Sequence, residues 1–252
     1  MKIIVALNEW QEIRASLKNK RVGFVPTMGN LHQGHMSLCA SSQMNNDVTA
    51  VSIFVNPTQF NQTQDFEHYP RTLEADITKL SSHNIDYLLV PSSTEIYNDN
   101  YEIQLTENNI SLELEGQFRP NHFAGMLTVV LKLLHLVQPS NAYFGEKDFQ
   151  QLLLIKKMVA SLFIPTQIIA CPTIRAEDGL ALSSRNSKLT AVQRKKAASL
   201  YQSLNSTNST DIIIKQLTQL GFKVDYIVEK WQRRLGAVWL DNVRLIDNVE
   251  LW

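Results

Sequence analysis

The sequence predicts an α/β protein: a parallel sheet covered by helices on both faces, followed by a smaller α+β domain. Three observations carry this prediction. Apolar runs at residues 21–25, 47–55 and 86–90 lack polar alternation, the pattern of strands buried on both faces. Amphipathic stretches of helical length separate such runs, at residues 34–43, 70–83, 121–137 and 147–162. After about residue 173 the pattern changes to alternating strands, 224–228 and 237–245, beside helices at 190–204 and 211–220. The expected domains are therefore 1–173 and 174–252.

Taken in order, the first strand ends near Pro26, and a helix opens at Gly34. The second strand is rich in Val, Ile and Phe, and the third is closed by Pro91. The longest helical pattern, 126–137, is interrupted by Lys132 and His135 and is too short to span a bilayer. A short strand at 142–144 and another at 166–171 complete the sheet. The polar run 205–210 reads as a loop, and Gly221 ends the helix before it.

Composition narrows the function. The chain has 252 residues, 44% hydrophobic and 19% charged, enough to bury a real core. Lys plus Arg equals Asp plus Glu at 24 each, which argues against a broad nucleic-acid surface, since such a surface needs excess positive charge. Cys39 and Cys171 lack CxxC spacing and sit in apolar surroundings, as buried reduced thiols do. The apolar start is broken at once by Asn8, Glu9 and Gln11, unlike a secretory signal. The expectation is a cytoplasmic protein with no nucleic-acid or membrane partner.

Chemistry concentrates at the strand ends. Residues 22–35 run from a buried strand through Gly29 to His32, Gly34 and His35 at a helix start. Free N–H groups and the positive helix end suit phosphate there, and the imidazoles can donate to it or move protons. His-x-x-His also fits half of a metal site. Beyond the second strand, Asn56 and Gln59 offer directional amides, although Asn-Pro also simply starts a turn. Residues 142–151 hold Gly145, Glu146, Lys147, Asp148 and Gln151. There Lys147 suits phosphate, Asp148 suits ribose or a helix cap, and Glu146 with Lys147 also reads as a solvated pair. Gln151 is placed one turn on from Lys147 on the same helix face. Ser183, Ser184 and Arg185 follow an Asp-Gly turn and can cradle phosphates. Arg119 and His122 suit an anion, an interface or their own loop. Asp76 reads as a metal ligand or, more simply, a surface carboxylate, and His83 and His135 as structural. Two histidines, a lysine, an arginine and serines describe a nucleoside triphosphate site with no P-loop and no kinase signature.

The His-x-Gly-His form at 32–35 resembles the nucleotidyl-transferase superfamily, whose members attack the α-phosphate of ATP and release pyrophosphate. Residues 26–35, 52–60, 69–72, 144–151 and 179–186 together resemble the pantoate–β-alanine ligase family, and the likeness returns at 243–248. The resemblance implies a Rossmann-like domain with a small C-terminal lid, usually as a homodimer. It implies an AMP-forming condensation of pantoate with β-alanine through a pantoyl-adenylate, with Mg²⁺ arriving on ATP and no tightly bound organic cofactor.

Carried onto this chain, the resemblance puts ATP phosphates on Met28, Gly29, Asn30, Leu31, His32, Gln33, Gly34 and His35. His35 is implied as proton donor with His32 beside it. Gln59 and Gln151 are implied to hold pantoate, with Gln59 also bordering β-alanine. Gly145, Glu146, Lys147 and Asp148 are implied on ATP, Ile174 near adenine, and Leu182, Ser183, Ser184 and Arg185 over the nucleotide. His32, His35 and Lys147 form the implied catalytic set, and no metal ligand is assigned. The stretch after Asn186 is shorter than the resemblance leads one to expect, with 205–210 and 223–239 in place of longer elements, which bears on lid closure. Rival readings are an adenylyltransferase that leaves AMP on its acceptor, a non-catalytic nucleotide-binding module, and an RNA-charging synthetase.

Overall fold

The computed structural model describes residues 1–61 and 63–251. The chain forms two compact units, residues 1–145 with 150–171, and residues 146–149 with 172–252.

The first unit is built on β1 (Lys2–Ile4), β2 (Val22–Thr27), β3 (Val48–Ile53), β4 (Tyr87–Leu89), β5 (Asn141–Gly145) and β6 (Gln167–Cys171). All pair in parallel, in the order β1-β4-β3-β2-β5-β6. Its helices are α1 (Leu7–Ser16), α2 (Gln33–Asn45), α3 (Thr63–Glu67), α4 (Leu73–Ser82), α5 (Ser93–Ile96), α6 (Glu115–Phe118), α7 (His122–Val137) and α8 (Phe149–Ser161), whose first residue belongs to the other unit. The parallel sheet expected from the apolar runs is present. Its edge strand β1 and the helix α1 were not anticipated, because three residues of strand carry too little periodicity to read.

On one side of the sheet, Val25, Val51, Leu88 and Tyr143 pack with Met36 and Cys39 of α2 and Leu80 of α4. α1 is fastened to the end of α7. Trp10 donates from Nε1 to the Leu136 carbonyl, and Arg14 from Nε and Nη2 to the carbonyls of Val137 and Gln138. An arginine there satisfies the last carbonyls of α7 and complements their negative dipole end. No helix among the described residues is long and apolar enough to cross a membrane.

Strand order reverses between β2 and β5, the place where open parallel sheets bind ligands beyond their carboxyl ends. The ladder there is short. It joins Gly23 to Asn141 and Phe24 to Ala142 and stops, although β2 runs on to Thr27 and β5 to Gly145. β2 and β3 stay paired to the end. The sheet therefore opens a crevice at its switch point.

The second unit carries α9 (Ala191–Ala197), α10 (Ser199–Leu204) and α11 (Thr210–Gln219) beside an antiparallel meander of β7 (Lys223–Lys230), β8 (Arg233–Leu240) and β9 (Val243–Glu250). Leu200, Leu204, Ile213, Leu217, Ile227 and Val238 are the heart of its core. Gly221 ends α11 in the left-handed region, with the N–H groups of Gly221 and Phe222 returned to Thr218 and Leu217. The β7–β8 turn places Trp231 and Gln232 at positive φ, as a two-residue hairpin matched to strand twist demands. Two expectations change here. The strand read at 237–245 is two strands that turn at Asp241, and the helix read at 190–204 is broken at Ala198.

Candidate active site

β2 delivers the phosphate-suited segment. After Thr27 the chain turns through Gly29 (φ +81°) and Asn30 (φ +49°) before α2 begins. Only a residue without a β-carbon adopts the first of these cheaply, and a β-carbon there would also crowd Asp76 and Ile53 at 3.1 Å. Asp76, on α4, closes the turn. Its Oδ2 accepts from the N–H of Asn30 (2.9 Å) and its Oδ1 from Leu31 (2.8 Å), while the Thr72 hydroxyl donates to Oδ2 (3.0 Å). Lys79 donates to the Leu31 carbonyl from the same helix. The sequence reading of Asp76 as a metal ligand or surface carboxylate is thus corrected: it is 2% exposed and spent on backbone N–H groups.

The two histidines cap α2 with each other. His32 Nδ1 accepts from the N–H of Gly34 (3.1 Å), and His35 Nδ1 accepts from the N–H of His32 (3.3 Å). An acceptor at Nδ1 in a neutral ring assigns the proton to Nε2 in both. The rings lie 4.1 Å apart, centroid to centroid, with their planes tilted by 43°.

Gln59 sits in a 3-10 turn, Pro57–Gln59, just past β3. The close approach of α7 fixes that turn, since any β-carbon on Gly125 would stand 2.4 Å from the Thr58 carbonyl oxygen. Asn56 organises the amides. It is 1% exposed, and its Nδ2 donates to Gln59 Oε1 (3.1 Å) and to the Gly125 carbonyl (3.2 Å). The Gly125 carbonyl can only accept, which fixes which end of the Asn56 amide is nitrogen, and Tyr97 donates its hydroxyl to Asn56 Oδ1 at 2.6 Å. Burial pushes the Tyr97 phenol up, so it stays a donor. Gln59 consequently turns its Nε2 the other way, 3.1 Å from Met28 Sδ. Asn56 is more than a turn starter. Among the alternatives for His122 and Arg119, loop support is what the contacts show. His122 Nδ1 lies 2.8 Å from the Gln59 carbonyl and Nε2 lies 3.0 Å from Arg119, which can only donate.

Gly145 ends β5, and a β-carbon there would meet nothing within 4 Å among the described residues. The glycine is therefore not demanded by neighbouring protein. Gln151 lies half-buried in the first turn of α8. Lys147 lies in the 3-10 turn Glu146–Asp148, which runs directly into α8 at Phe149.

In the second unit, Lys147 lies 3.8 Å from Asp148 Oδ2, with Asp148 the more exposed partner. Ile174 and Leu182 meet across a short hairpin, the Leu182 N–H donating to the Ile174 carbonyl (2.9 Å). Ser183 then caps the 3-10 turn Ser184–Lys188, its Oγ accepting from the Arg185 N–H (3.2 Å). A small cavity is lined by Lys147, Ser183 and Arg185 together with Asn186 and Arg244, so this unit gathers the cations and hydroxyls that the sequence placed 36 and more residues apart. Sequence reasoning missed Asn56 and Asp76 as organisers. It also passed over Arg233 and Asn248, of which only the weak likeness at 243–248 gave a signal.

A reversal of strand order with two imidazoles and a helix N-terminus beyond it defines a Rossmann-like, nucleotide-using α/β protein. The profile of the pantoate–β-alanine ligase family matches residues 2–250, and the chain belongs to that family. It is 48% identical over 249 residues to a pantothenate synthetase of Legionella pneumophila (strain Corby), covering 98% of this chain and 99% of the relative. A Coxiella burnetii (strain Dugway 5J108-111) pantothenate synthetase is 48% identical over 248 residues, covering 98% and 96%. The solved pantoate-β-alanine ligase of Francisella tularensis, complexed with β-γ ATP and β-alanine, superposes with a TM-score of 0.94 at 45% identity, covering 99% and 97% of the two chains. These coverages correct one expectation: relative to such proteins, the segment after Asn186 is not abbreviated.

Proposed function

We propose that this chain condenses pantoate with β-alanine to pantothenate through a pantoyl-adenylate, releasing AMP and pyrophosphate. The observation that carries the reading is the imidazole pair of His32 and His35 at the start of α2, each with Nδ1 engaged by a backbone N–H. The pantoate carboxylate is a weak nucleophile, so alignment with the α-phosphorus and charge neutralisation supply most of the rate. His35 serves as proton donor, with His32 and the backbone of residues 28–35 on the phosphates. Lys147 adds a point charge, and Ser183, Ser184 and Arg185 hold phosphate oxygens.

Gln59 selects the acid. Its Oε1 is already accepting from Asn56, so what it offers the carboxylate and hydroxyl oxygens of pantoate is an N–H of Nε2, the nitrogen that also faces Met28 Sδ. Gln151 completes that subsite, and Gln59 also borders β-alanine. Asp148 takes the ribose, and Gly145 and Glu146 border the nucleotide. Ile174 and Leu182, adjacent across their hairpin, give adenine an apolar contact. Bound with ATP, Mg²⁺ would supply charge screening at the phosphates, and no residue of this chain is assigned to hold it. The amine of β-alanine then attacks the acyl carbonyl, and AMP leaves. We also read the enzyme as a cytoplasmic homodimer; light scattering tests the dimer.

Pyrophosphate exchange into ATP tests the central step. Exchange that requires pantoate, with AMP accumulating only when β-alanine is added, is the expected result. Exchange without pantoate, or a stable dinucleotide product, would sink the reading.

A further inference from the structure

The side chain of Asn248, on β9, grips the turn that carries Lys147. Its Nδ2 donates to two consecutive carbonyls, Glu146 (2.9 Å) and Lys147 (3.0 Å). One amide nitrogen has two N–H groups, and both are used on one turn. The amide is itself held. Arg233 Nη1 donates to Asn248 Oδ1 at 2.8 Å, which leaves no doubt about which atom is oxygen, since a guanidinium only donates. Arg233 Nη2 also reaches Glu146 Oε2 at 3.0 Å and Glu250 Oε1 at 2.9 Å, and its guanidinium lies 4.4 Å over the Phe149 ring. Both side chains are buried, Asn248 at 2% exposure and Arg233 at 8%.

The backbone of Asn248 is pinned separately. Arg175 Nη2 donates to its carbonyl (3.1 Å), and Asp247, in a two-bond pair with Arg175 at 2.6 and 2.9 Å, accepts from its N–H (2.8 Å). Arg175 in turn lies 4.0 Å over the Tyr201 ring. Among the described residues, the side-chain bonds of Asn248 go to the carbonyls of Glu146 and Lys147 and to Arg233. A buried amide whose every bond goes to the Lys147 turn or to the arginine that braces it has a positional task.

We propose that Asn248, braced by Arg233, is a positioning residue for Lys147: it fixes the backbone of the turn so that Nζ meets the ATP phosphates without a search. The proposal rests on the role given above to Lys147. Lysine is a flexible point charge on a four-carbon stem, so where its backbone stands decides where the charge can go. A displacement of about 1 Å at a positioning group can cost roughly 100-fold in rate.

The test is a double-mutant cycle on pantoate-dependent pyrophosphate exchange, with Lys147→Ala, Asn248→Leu and the pair combined. Asn248→Leu keeps the branched shape, at a somewhat larger volume, and removes the grip. Expected is a fall in kcat of roughly 10- to 100-fold in the wild-type background, with KM for pantoate within about twofold. In the Lys147→Ala background the same substitution should cost less than about threefold, because its effect runs through Lys147. Equal losses in both backgrounds, or a matching rise in the pantoate KM, would overturn the positioning role and leave a structural one. Should Asn248→Leu not fold, Arg233→Lys, which keeps the charge and loses the fork, is read in the same cycle with the same outcomes. If Lys147→Ala alone exchanged at near-native rate, the catalytic reading of Lys147 would fail first, and it would fail visibly apart from the positioning claim.

Discussion

A β-carbon on Gly29 would stand 3.1 Å from Oδ2 of Asp76, so the turn that leads into α2 is closed tightly around a buried carboxylate. The two oxygens of Asp76 accept from different N–H groups, of Asn30 and Leu31. Asp76→Asn replaces one acceptor with a donor facing a donor. It should cost about 1–3 kcal/mol in urea unfolding and lower the exchange rate at least roughly 10-fold by loosening the phosphate turn. Unfolding and exchange rates matching wild type would remove Asp76 from the site.

Asn56 and Gln59 make a second such pair. Asn56→Asp sets a carboxylate oxygen against Gln59 Oε1 and favours the flipped Gln59 amide, which presents oxygen where pantoate brings its own. The KM for pantoate should rise by about 10-fold or more, one misplaced hydrogen-bonding group being of that size, while KM for ATP changes little. A pantoate KM left unchanged in steady-state assays would break the link between Gln59 and the acid.

His35→Ala removes one of two paired donors. The kcat of exchange should fall by roughly 100- to 1000-fold, the usual cost of one positioned donor at developing charge. The melting temperature should barely move, since the ring is half-exposed and its bond to the His32 N–H is long at 3.3 Å. A large loss of thermal stability alongside the rate would recast His35 as a helix cap first.

A pH prediction comes from Glu107, in the segment before α6. Burial alone would raise its carboxyl, but Lys157 Nζ at 2.6 Å and the N–H groups of Ser111 and Asn109 outweigh that and hold it at about 2, against an ordinary 4.5. The folded value lies below the unfolded one, so the stabilisation is complete above about pH 4.5 and is lost as pH falls toward 2. Glu107→Gln should therefore be less stable than wild type at pH 7 in urea, and the gap should shrink by pH 3. A gap independent of pH would show that the ion pair contributes nothing.

The sheet and the α2 opening were legible because their signals are local. Apolar runs name buried strands, and a glycine-bounded His-x-Gly-His names a helix start whatever surrounds it. Asp76 was not legible, since its partners Asn30 and Leu31 lie 46 and 45 residues away and nothing near Asp76 reports them. Asn56 was hidden by its own local signal, because Asn-Pro is a good turn starter even when its amide has other work. The join of β8 to β9 was missed for a different reason. Asp241 turns the chain within an apolar alternation that continues on both sides, so periodicity alone reads through it.

Residues 146–149 belong to the second unit although the chain around them, 1–145 and 150–171, belongs to the first. For anyone exchanging parts between family members, the second unit is therefore not a cassette. A chimera joined at residue 172 would bring in a foreign β9 while keeping the old Lys147 turn, and would separate Asn248 from the carbonyls it was fitted to. Inheritance of the two segments is coupled, and compatible grafts must carry both.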